Sequence, residues 1–291
     1  MAAVHAITVD ADDEKRALGA IDAAIADVLR IEAKYSRYRD DSVTTSINAA
    51  GGHEVAVDEE TSALLRYADH CYTLSEGRFD ITSGVLRRAW DFRREPPRVP
   101  DAREVDALRE LIGWKQVEWR NGTVRLAKPG MELDFGGIGK EYAADRAATI
   151  LQESGISHAL VNLGGDVRAV GGQANGAPWH IGIRHPREPE PAVISSVDLT
   201  EGAIATSGDY ERYFEHAGRR YCHLIDARTG MPVSTWQSIS VAAPLAVVAG
   251  SCSTIAMLLE MRAAAFLDGQ GVAWLGVDAQ GRLHGKLAGT G

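Results

Sequence analysis

The stretch Glu132-Leu-Asp-Phe-Gly-Gly-Ile-Gly-Lys-Glu-Tyr-Ala-Ala-Asp-Arg146 decides how the chain is read. It begins as an alternating run, continues with glycines at 136, 137 and 139, and reaches a lysine at 140. Ala143, Ala147, Ile150 and Leu151 then recur at helical spacing. The pattern is strand, tight loop, helix. Glycines let a backbone approach a ligand closely, and a helix start offers unpaired N–H groups and a positive dipole end. Such a place suits an anion, a phosphate above all, and Lys140 adds a full charge. Asp134 is a carboxylate able to hold a ribose, a base edge or a metal. The stretch is not a Walker A loop, because Glu141 follows the lysine, and the third glycine of a dinucleotide fingerprint falls on Tyr142. Local chemistry leaves two readings open, an anion site or a glycine-rich turn with a solvated lysine.

The 291 residues suffice for one large domain or two modest ones. A hydrophobic content of 45% with 24% charged residues allows a sizeable core and does not indicate disorder. The net charge of −9 argues against nonspecific binding to nucleic acid or anionic membranes. Cys71, Cys222 and Cys252 are scattered, without a CxxC, as expected in a reducing compartment with no disulfide framework. No apolar run reads as a membrane span, and the N-terminal residues lack the pattern of a secretory signal, so a cytoplasmic location is expected.

Outward from the opening stretch, Ala3 to Val9 alternates as a strand. Asp12 and Asp13 can cap a helix that places Leu18, Ile21, Ile25, Val28 and Glu32 on one side. Residues 36 to 48 read as a polar loop, and about 58 to 74 as a helix with Leu64, Leu65, Ala68 and Cys71 inward. Residues 93 to 104, with three prolines, read as a loop and a possible subdomain edge or insertion within a single domain spanning 1–291. Asn121-Gly122 joins two short strands as a hairpin. The second half reads mostly as strands, one of them running from Tyr221 to Ile225 through His223, and residues 244 to about 261 as a helix. Strands and helices mix without a regular βαβ alternation, so the expected class is α+β.

Six segments then coincide in order: Ser36-Arg-Tyr-Arg-Asp-Asp-Ser42, Gly77-Arg-Phe-Asp-Ile-Thr82, Asp134-Phe-Gly-Gly-Ile-Gly-Lys-Glu-Tyr-Ala143, Asn162-Leu-Gly-Gly-Asp166, Ser207-Gly-Asp-Tyr-Glu-Arg-Tyr-Phe214 and His223-Leu-Ile-Asp-Ala-Arg-Thr-Gly230. Together they resemble the ApbE family of FAD:protein FMN transferases, from Met1 to beyond Thr254. The resemblance implies mixed, largely antiparallel sheets with flanking helices and a flavin cleft between a larger and a smaller part. It implies cleavage of FAD, with a divalent cation, expected to be Mg²⁺, and attachment of FMN to a Thr or Ser hydroxyl of a target flavoprotein with release of AMP. By position it assigns Met1, Tyr38, Phe79, Asp80, Ile81, Asp134, Lys140 and Ile225 to FAD. It assigns Gly137, Ser253 and Thr254 to the metal, and His223 with Lys140 to catalysis.

One departure stands out. In the resembled family the late helix carries an Asp four residues before a metal-binding Thr, and here that position is Gly250. A hard cation favours carboxylate oxygens, so the first expectation is a weakened metal site that Gly250→Asp would restore. The alternative is room for a water-rich Mg²⁺ held mainly by pyrophosphate, where Gly250→Asp would be neutral or harmful. Two other functions follow if transfer fails: an FAD-binding protein without transferase activity, or an FAD pyrophosphatase giving FMN and AMP. Asp166 either caps a turn or touches a ligand. The remaining histidines lack ligand spacing, and Cys252 reads as a small buried residue.

Overall fold

A computed structural model describes residues 4–120 and 122–287. Strand β1 (His5–Val9) leads into helix α1 (Glu14–Tyr35), capped by Asp13, whose carboxylate accepts from the Arg16 N–H at 3.0 Å. The segment expected to be a loop holds a short helix, α2 (Val43–Ala49), which Ser42 caps by accepting from Thr45 N–H. Strand β2 (Val55–Ala56) and helix α3 (Glu59–Leu74) follow, and α3 buries Leu64, Leu65, Ala68 and Cys71 as its spacing predicts. Helix α4 (Ala102–Arg109) ends the proline-rich loop. Strands β3 (Val117–Arg120) and β4 (Thr123–Leu126) pair on either side of Gly122, and β2 joins them in a small sheet.

Helix α5 (Gly139–Glu153) is the helix read from the opening stretch, but the alternating run before it forms no strand and passes straight into a single tight turn at Phe135–Gly137. The rest of the chain supplies β5 (Ala159–Leu163), β6 (Asp166–Val170), β7 (Trp179–Arg184), β8 (Val193–Leu199), β9 (Gly202–Gly208), β10 (Tyr213–His216) and β11 (Arg219–Cys222). Then come β12 (Ile225–Asp226), β13 (Met231–Pro232), β14 (Trp236–Ala243), α6 (Ala246–Leu259), α7 (Ala263–Gln270), β15 (Ala273–Asp278) and β16 (Leu283–Lys286). The main sheet runs β1-β5-β6-β9-β14-β15-β16, with every neighbouring pair antiparallel. The fold is α+β.

Period-two alternation assigns the two faces of this sheet. Val161, Ala203, Ile239 and Val241 join the main core beneath the helices, whereas Val167, Ile204 and Leu275 join a second cluster on the far face with Ile183 and Val197 of the β7–β8 hairpin. By the same alternation Asp166, one residue from Val167, and Ser207, three residues from Ile204, turn toward the helices. At the β5–β6 turn, Gly164 and Gly165 both have positive φ, +61° and +93°, and the Asn162 carboxamide accepts from Gly165 N–H at 2.9 Å. Only glycine adopts such angles freely, and this tight reversal delivers Asp166 at the start of β6.

The helical layer departs from the apolar pattern of α1. Its buried face is Ala20, Ala24, Val28, Ile31 and Tyr35, while Leu18 and Ile25 stay 54% and 44% exposed. Val28 is buried as its spacing predicts, and Ile21 packs against the core. Helix α5 turns Ala143, Ala144, Ala147 and Ala148 inward, and small side chains let helices pack closely. Helix α6 is apolar nearly all round and buried on most of its surface, as such a helix must be. The stretch 246–270 is long and apolar enough to cross a membrane by length and composition. Two thirds of its 18-residue apolar window is buried in the protein, and it breaks at Glu260, whose φ is +50°.

A smaller aromatic cluster lies apart from the main core. Trp90 stacks on Tyr221 and Phe214 at centroid distances of 5.6 and 6.3 Å, with Leu86 and Val105 around them. The Trp90 indole N–H donates to Gly230 O at 2.8 Å, which ties the β12–β13 turn to this cluster.

Helix α6 has no cap of its own at its start. Asp145 of α5 fills that role, its two carboxylate oxygens accepting from Ala246 N–H at 2.8 Å and Val247 N–H at 2.9 Å. Hydrogen bonds to a charged group contribute about 1.5–3 kcal/mol each. Asp145→Ala is therefore expected to lower the urea unfolding free energy by about 2 kcal/mol or more. An unchanged midpoint would show that water caps α6 equally well.

Candidate functional site

Asp134 is held from three sides. The Asn48 carboxamide clamps the preceding residue, accepting from Leu133 N–H at 2.7 Å and donating to Leu133 O at 3.0 Å. Asp134 N–H donates to Ile81 O at 2.8 Å, which joins the 79–82 segment to the glycine loop. The carboxylate accepts from Gly136 N–H at 2.9 Å and pairs with the Arg37 guanidinium. Arg37 also donates to the Tyr38 hydroxyl at 2.7 Å and lies over its ring. Tyr38 is 72% exposed, so its ring presents an open aromatic face beside the loop.

Phe79, Asp80 and Ile81 are all buried. The Asp80 carboxylate accepts from Thr82 N–H, the Thr82 hydroxyl and Trp114 N–H, at 2.8, 2.6 and 3.0 Å. The side chains of these residues lie inside the protein, and Ile81 O and Asp80 O already accept from Asp134 N–H and Ser83 N–H, respectively. Gly137 explains part of the glycine run: a Cβ there would stand 3.0 Å from the Phe79 ring. Ile225 is half-buried against the aromatic cluster, and Asp226 beside it pairs with Arg78. Met1 lies outside the described residues.

Lys140 opens α5, but it is not a free cation. Its Nζ stands 2.6 Å from Asp166 Oδ2. Burial works against the Lys140 charge, yet Asp166 and Glu141 outweigh it and hold its pKa above the ordinary lysine value. Glu141, the next residue, is 8% exposed, and its Oε2 is buried without a hydrogen-bond partner. Burial, and then the charge of Asp166, raise its pKa well above the usual carboxylate value, with Lys140 pulling the other way. Glu141 rests directly on α6. A Cβ at Gly250 would lie 2.5 Å from Glu141 Cγ and 3.1 Å from Oε1.

One turn along α6, three hydroxyls meet. Ser207 Oγ is 2.8 Å from Ser253 Oγ and 2.9 Å from Thr254 Oγ1, and Ser253 donates to Gly250 O at 2.9 Å. Asp166 and Ser207 thus reach the helices from neighbouring strands, as the face assignment requires. The site gathers Lys140, Glu141, Asp166, Ser207, Ser253 and Thr254 where α5 begins and α6 passes.

His223 corrects the expected strand. It lies between β11 and β12, in neither, its N–H donating to Arg212 O at 3.0 Å. Its Nδ1 is buried without a partner. Burial, then the positive charges of Arg212 and Lys140, lower its pKa to about 4, so the imidazole is neutral at neutral pH. Arg37, Glu141 and Ser207 were not read from the sequence as site residues. Each carries meaning only through a partner distant in the chain, Asp134, Gly250 and Thr254 respectively.

The ApbE family model matches residues 1–275. A protein of Treponema pallidum named FAD:protein FMN transferase is 35% identical over 271 residues, covering 84% of this chain and 74% of that one. A Vibrio cholerae protein of the same name is 34% identical, and this chain spans 62% of its length. Among solved structures, the ApbE protein of Thermotoga maritima superimposes with a TM-score of 0.87 at 32% identity, covering 97% of both chains. The flavin transferase ApbE of Vibrio cholerae gives 0.82 at 27% identity, covering 97% of this chain and 96% of that one. A family match over nearly the whole length, with relatives above 30% identity and the same architecture, makes this chain a member of the ApbE family.

Proposed function

We propose that this protein is an FAD:protein FMN transferase, which cleaves FAD and attaches FMN to a Thr or Ser hydroxyl of a target flavoprotein. The observation that carries the reading is the gathering of lysine, carboxylates and hydroxyls at the start of α5, with a neutral histidine whose Nδ1 is buried and whose charge environment includes Lys140. The relatives' shared name supports the same reaction.

In this reading the acceptor hydroxyl oxygen attacks the FMN-side phosphorus. The bond from that phosphorus to the bridging oxygen breaks, and AMP leaves with the oxygen. The hydroxyl proton passes to Nδ1 of His223, in the tautomer that carries its own proton on Nε2. Phosphoryl transfer depends mainly on positioning and on neutralising charge. Lys140 at the helix start serves the pyrophosphate, and Tyr38, the 79–81 segment, Asp134 and Ile225 line the remainder of FAD.

A divalent cation such as Mg²⁺, when bound, neutralises the pyrophosphate. The residues present fit one: the Ser207, Ser253 and Thr254 hydroxyls and the unpartnered Glu141 oxygen are hard donors. Ser253, Thr254 and the Gly137 carbonyl would hold it. Among the described residues no three or more His, Cys, Asp or Glu side chains group as a cation cage. That suits Mg²⁺, which keeps waters and takes substrate phosphate oxygens.

Mass spectrometry after incubation with FAD, Mg²⁺ and a candidate acceptor protein tests the reaction. A covalent FMN adduct with stoichiometric AMP is expected. Free FMN with AMP would mean a pyrophosphatase, and intact FAD a binding protein. Lys140→Ala is expected to weaken FAD binding by about 1.5–3 kcal/mol. Lys128→Ala, at an exposed lysine outside these segments, should leave it unchanged. Equal calorimetric affinities for the two variants would remove Lys140 from the phosphates.

His223→Ala should slow transfer by about 10²–10⁴-fold while FAD stays bound. For the wild type, kcat/KM should stay flat toward acid and fall only near the histidine pKa of about 4. Stability has the matching sign. Unfolded histidine protonates near 6.5 and folded His223 near 4, so the unfolded state binds the extra proton between them. Stability is full above 6.5 and declines as pH falls toward 4. His223→Gln should flatten that decline in urea titrations across this range. A slope identical to wild type would mean His223 titrates normally.

A further inference from the structure

We infer that Glu141, reaching across from α5, supplies the anionic cation ligand that α6 lacks at Gly250, so that the cation site is rebuilt from a different helix. The inference rests on the transferase reading only for the pyrophosphate as a further ligand. Its physical ground is local.

A carboxylate buried with one oxygen unpaired is costly unless something arrives to meet it. Glu141 is 8% exposed and its Oε2 has no partner. The adjacent cation, Lys140, stands 2.6 Å from Asp166. Two carboxyl groups therefore share one lysine in a buried place; burial beside Asp166 favours the protonated form of Glu141, and a divalent cation would take the place of that proton.

Position 250 explains how Glu141 comes to be there. A side chain at 250 would put its Cβ 2.5 Å from Glu141 Cγ, closer than real atoms approach. Glu141 and Gly250 are thus a matched pair, one filling the space the other leaves. Residues four apart on a helix share a face, so a carboxylate seated on Gly250 stands one turn from Thr254. Thr254 Oγ1 is itself 2.9 Å from Ser207 Oγ. The acidic side chain that would be expected from α6 is delivered by α5 instead. The donors are all oxygens, the chemistry of Mg²⁺ or Mn²⁺.

The structure reverses the first expectation drawn from the sequence for Gly250→Asp. Made alone, that change collides with Glu141 and adds a second buried carboxylate. Only the exchange of both positions is expected to work.

The test is a Mn²⁺ titration followed by electron paramagnetic resonance, with metal alone and with ADP as a pyrophosphate lacking the flavin. It compares wild type, Glu141→Gln, Gly250→Asp and the exchange variant Glu141→Gly/Gly250→Asp, each checked by thermal unfolding. Wild type should bind Mn²⁺, and Glu141→Gln, which keeps the shape, should weaken binding about tenfold or more. Gly250→Asp should lower the melting temperature without tightening Mn²⁺. The exchange variant should recover binding to within about threefold of wild type, since it restores the same donor type. Equal Mn²⁺ affinity in wild type and Glu141→Gln overturns the inference, as does a wild type that binds no Mn²⁺ under either condition. Should Glu141→Gln not fold, the exchange variant decides: recovered binding supports the inference, lost binding overturns it. A failed FMN transfer assay with Glu141-dependent Mn²⁺ binding would sink the transferase reading alone. Intact transfer with Glu141-independent binding would sink this inference alone.

Discussion

The contact on which the site depends is that of Glu141 with Gly250. It requires α5 and α6 to approach until a glutamate stem lies against a bare helix backbone. The approach is possible because α5 turns only alanines, with Leu151, into the helical layer around that glutamate. Asp145, one turn further along α5, holds the start of α6 through two backbone hydrogen bonds. The two helices therefore share side chains in both directions, and the start of α5 has little freedom to drift from the hydroxyls of α6. Chemistry that needs positioning more than covalent assistance is well served by such a frame.

Charge at this place is arranged more than it is neutralised. Lys140 and Asp166 are paired, yet a buried pair is weak evidence for stability, because desolvation offsets most of its attraction. Adding Glu141 makes the arrangement costlier still. Perturbed groups gathered in this way mark functional sites more often than structural ones. His223 belongs to the same field. The positive charges of Arg212 and Lys140 reinforce the effect of burial and keep its imidazole neutral, the form able to accept a proton. Its position comes from the smaller aromatic cluster, where Trp90, Phe214 and Tyr221 stack below the turn that carries it.

The fold was legible where side-chain spacing reports on local structure. The cap at Asp13, the inward face of α3 and the turn at Gly122 lie where residue type and period place them. The face of α1 was read correctly at Val28 and Ile21 but not at Leu18 and Ile25. The packed face runs through Ala20, Ala24, Val28, Ile31 and Tyr35, which leaves Leu18 and Ile25 outside. The strand through His223 was also misread. An alternating run breaks there because Leu224 O accepts from Val233 N–H across a turn, away from the β10–β11 hairpin.

At the site, the sequence by itself determined the glycine loop, the helix start behind Lys140, the hydroxyls of α6 and the missing side chain at 250. These are properties of single segments, set by backbone angles and residue type. What only the tertiary structure decided is how those segments meet. Lys140 finds Asp166 on a strand whose pleat turns it inward. Phe79 and Asp80 retreat into the core as braces for the loop. The gap at Gly250 is filled by a residue 109 positions earlier in the chain. No spacing rule connects residues so far apart, because their proximity follows from the packing of whole helices and strands.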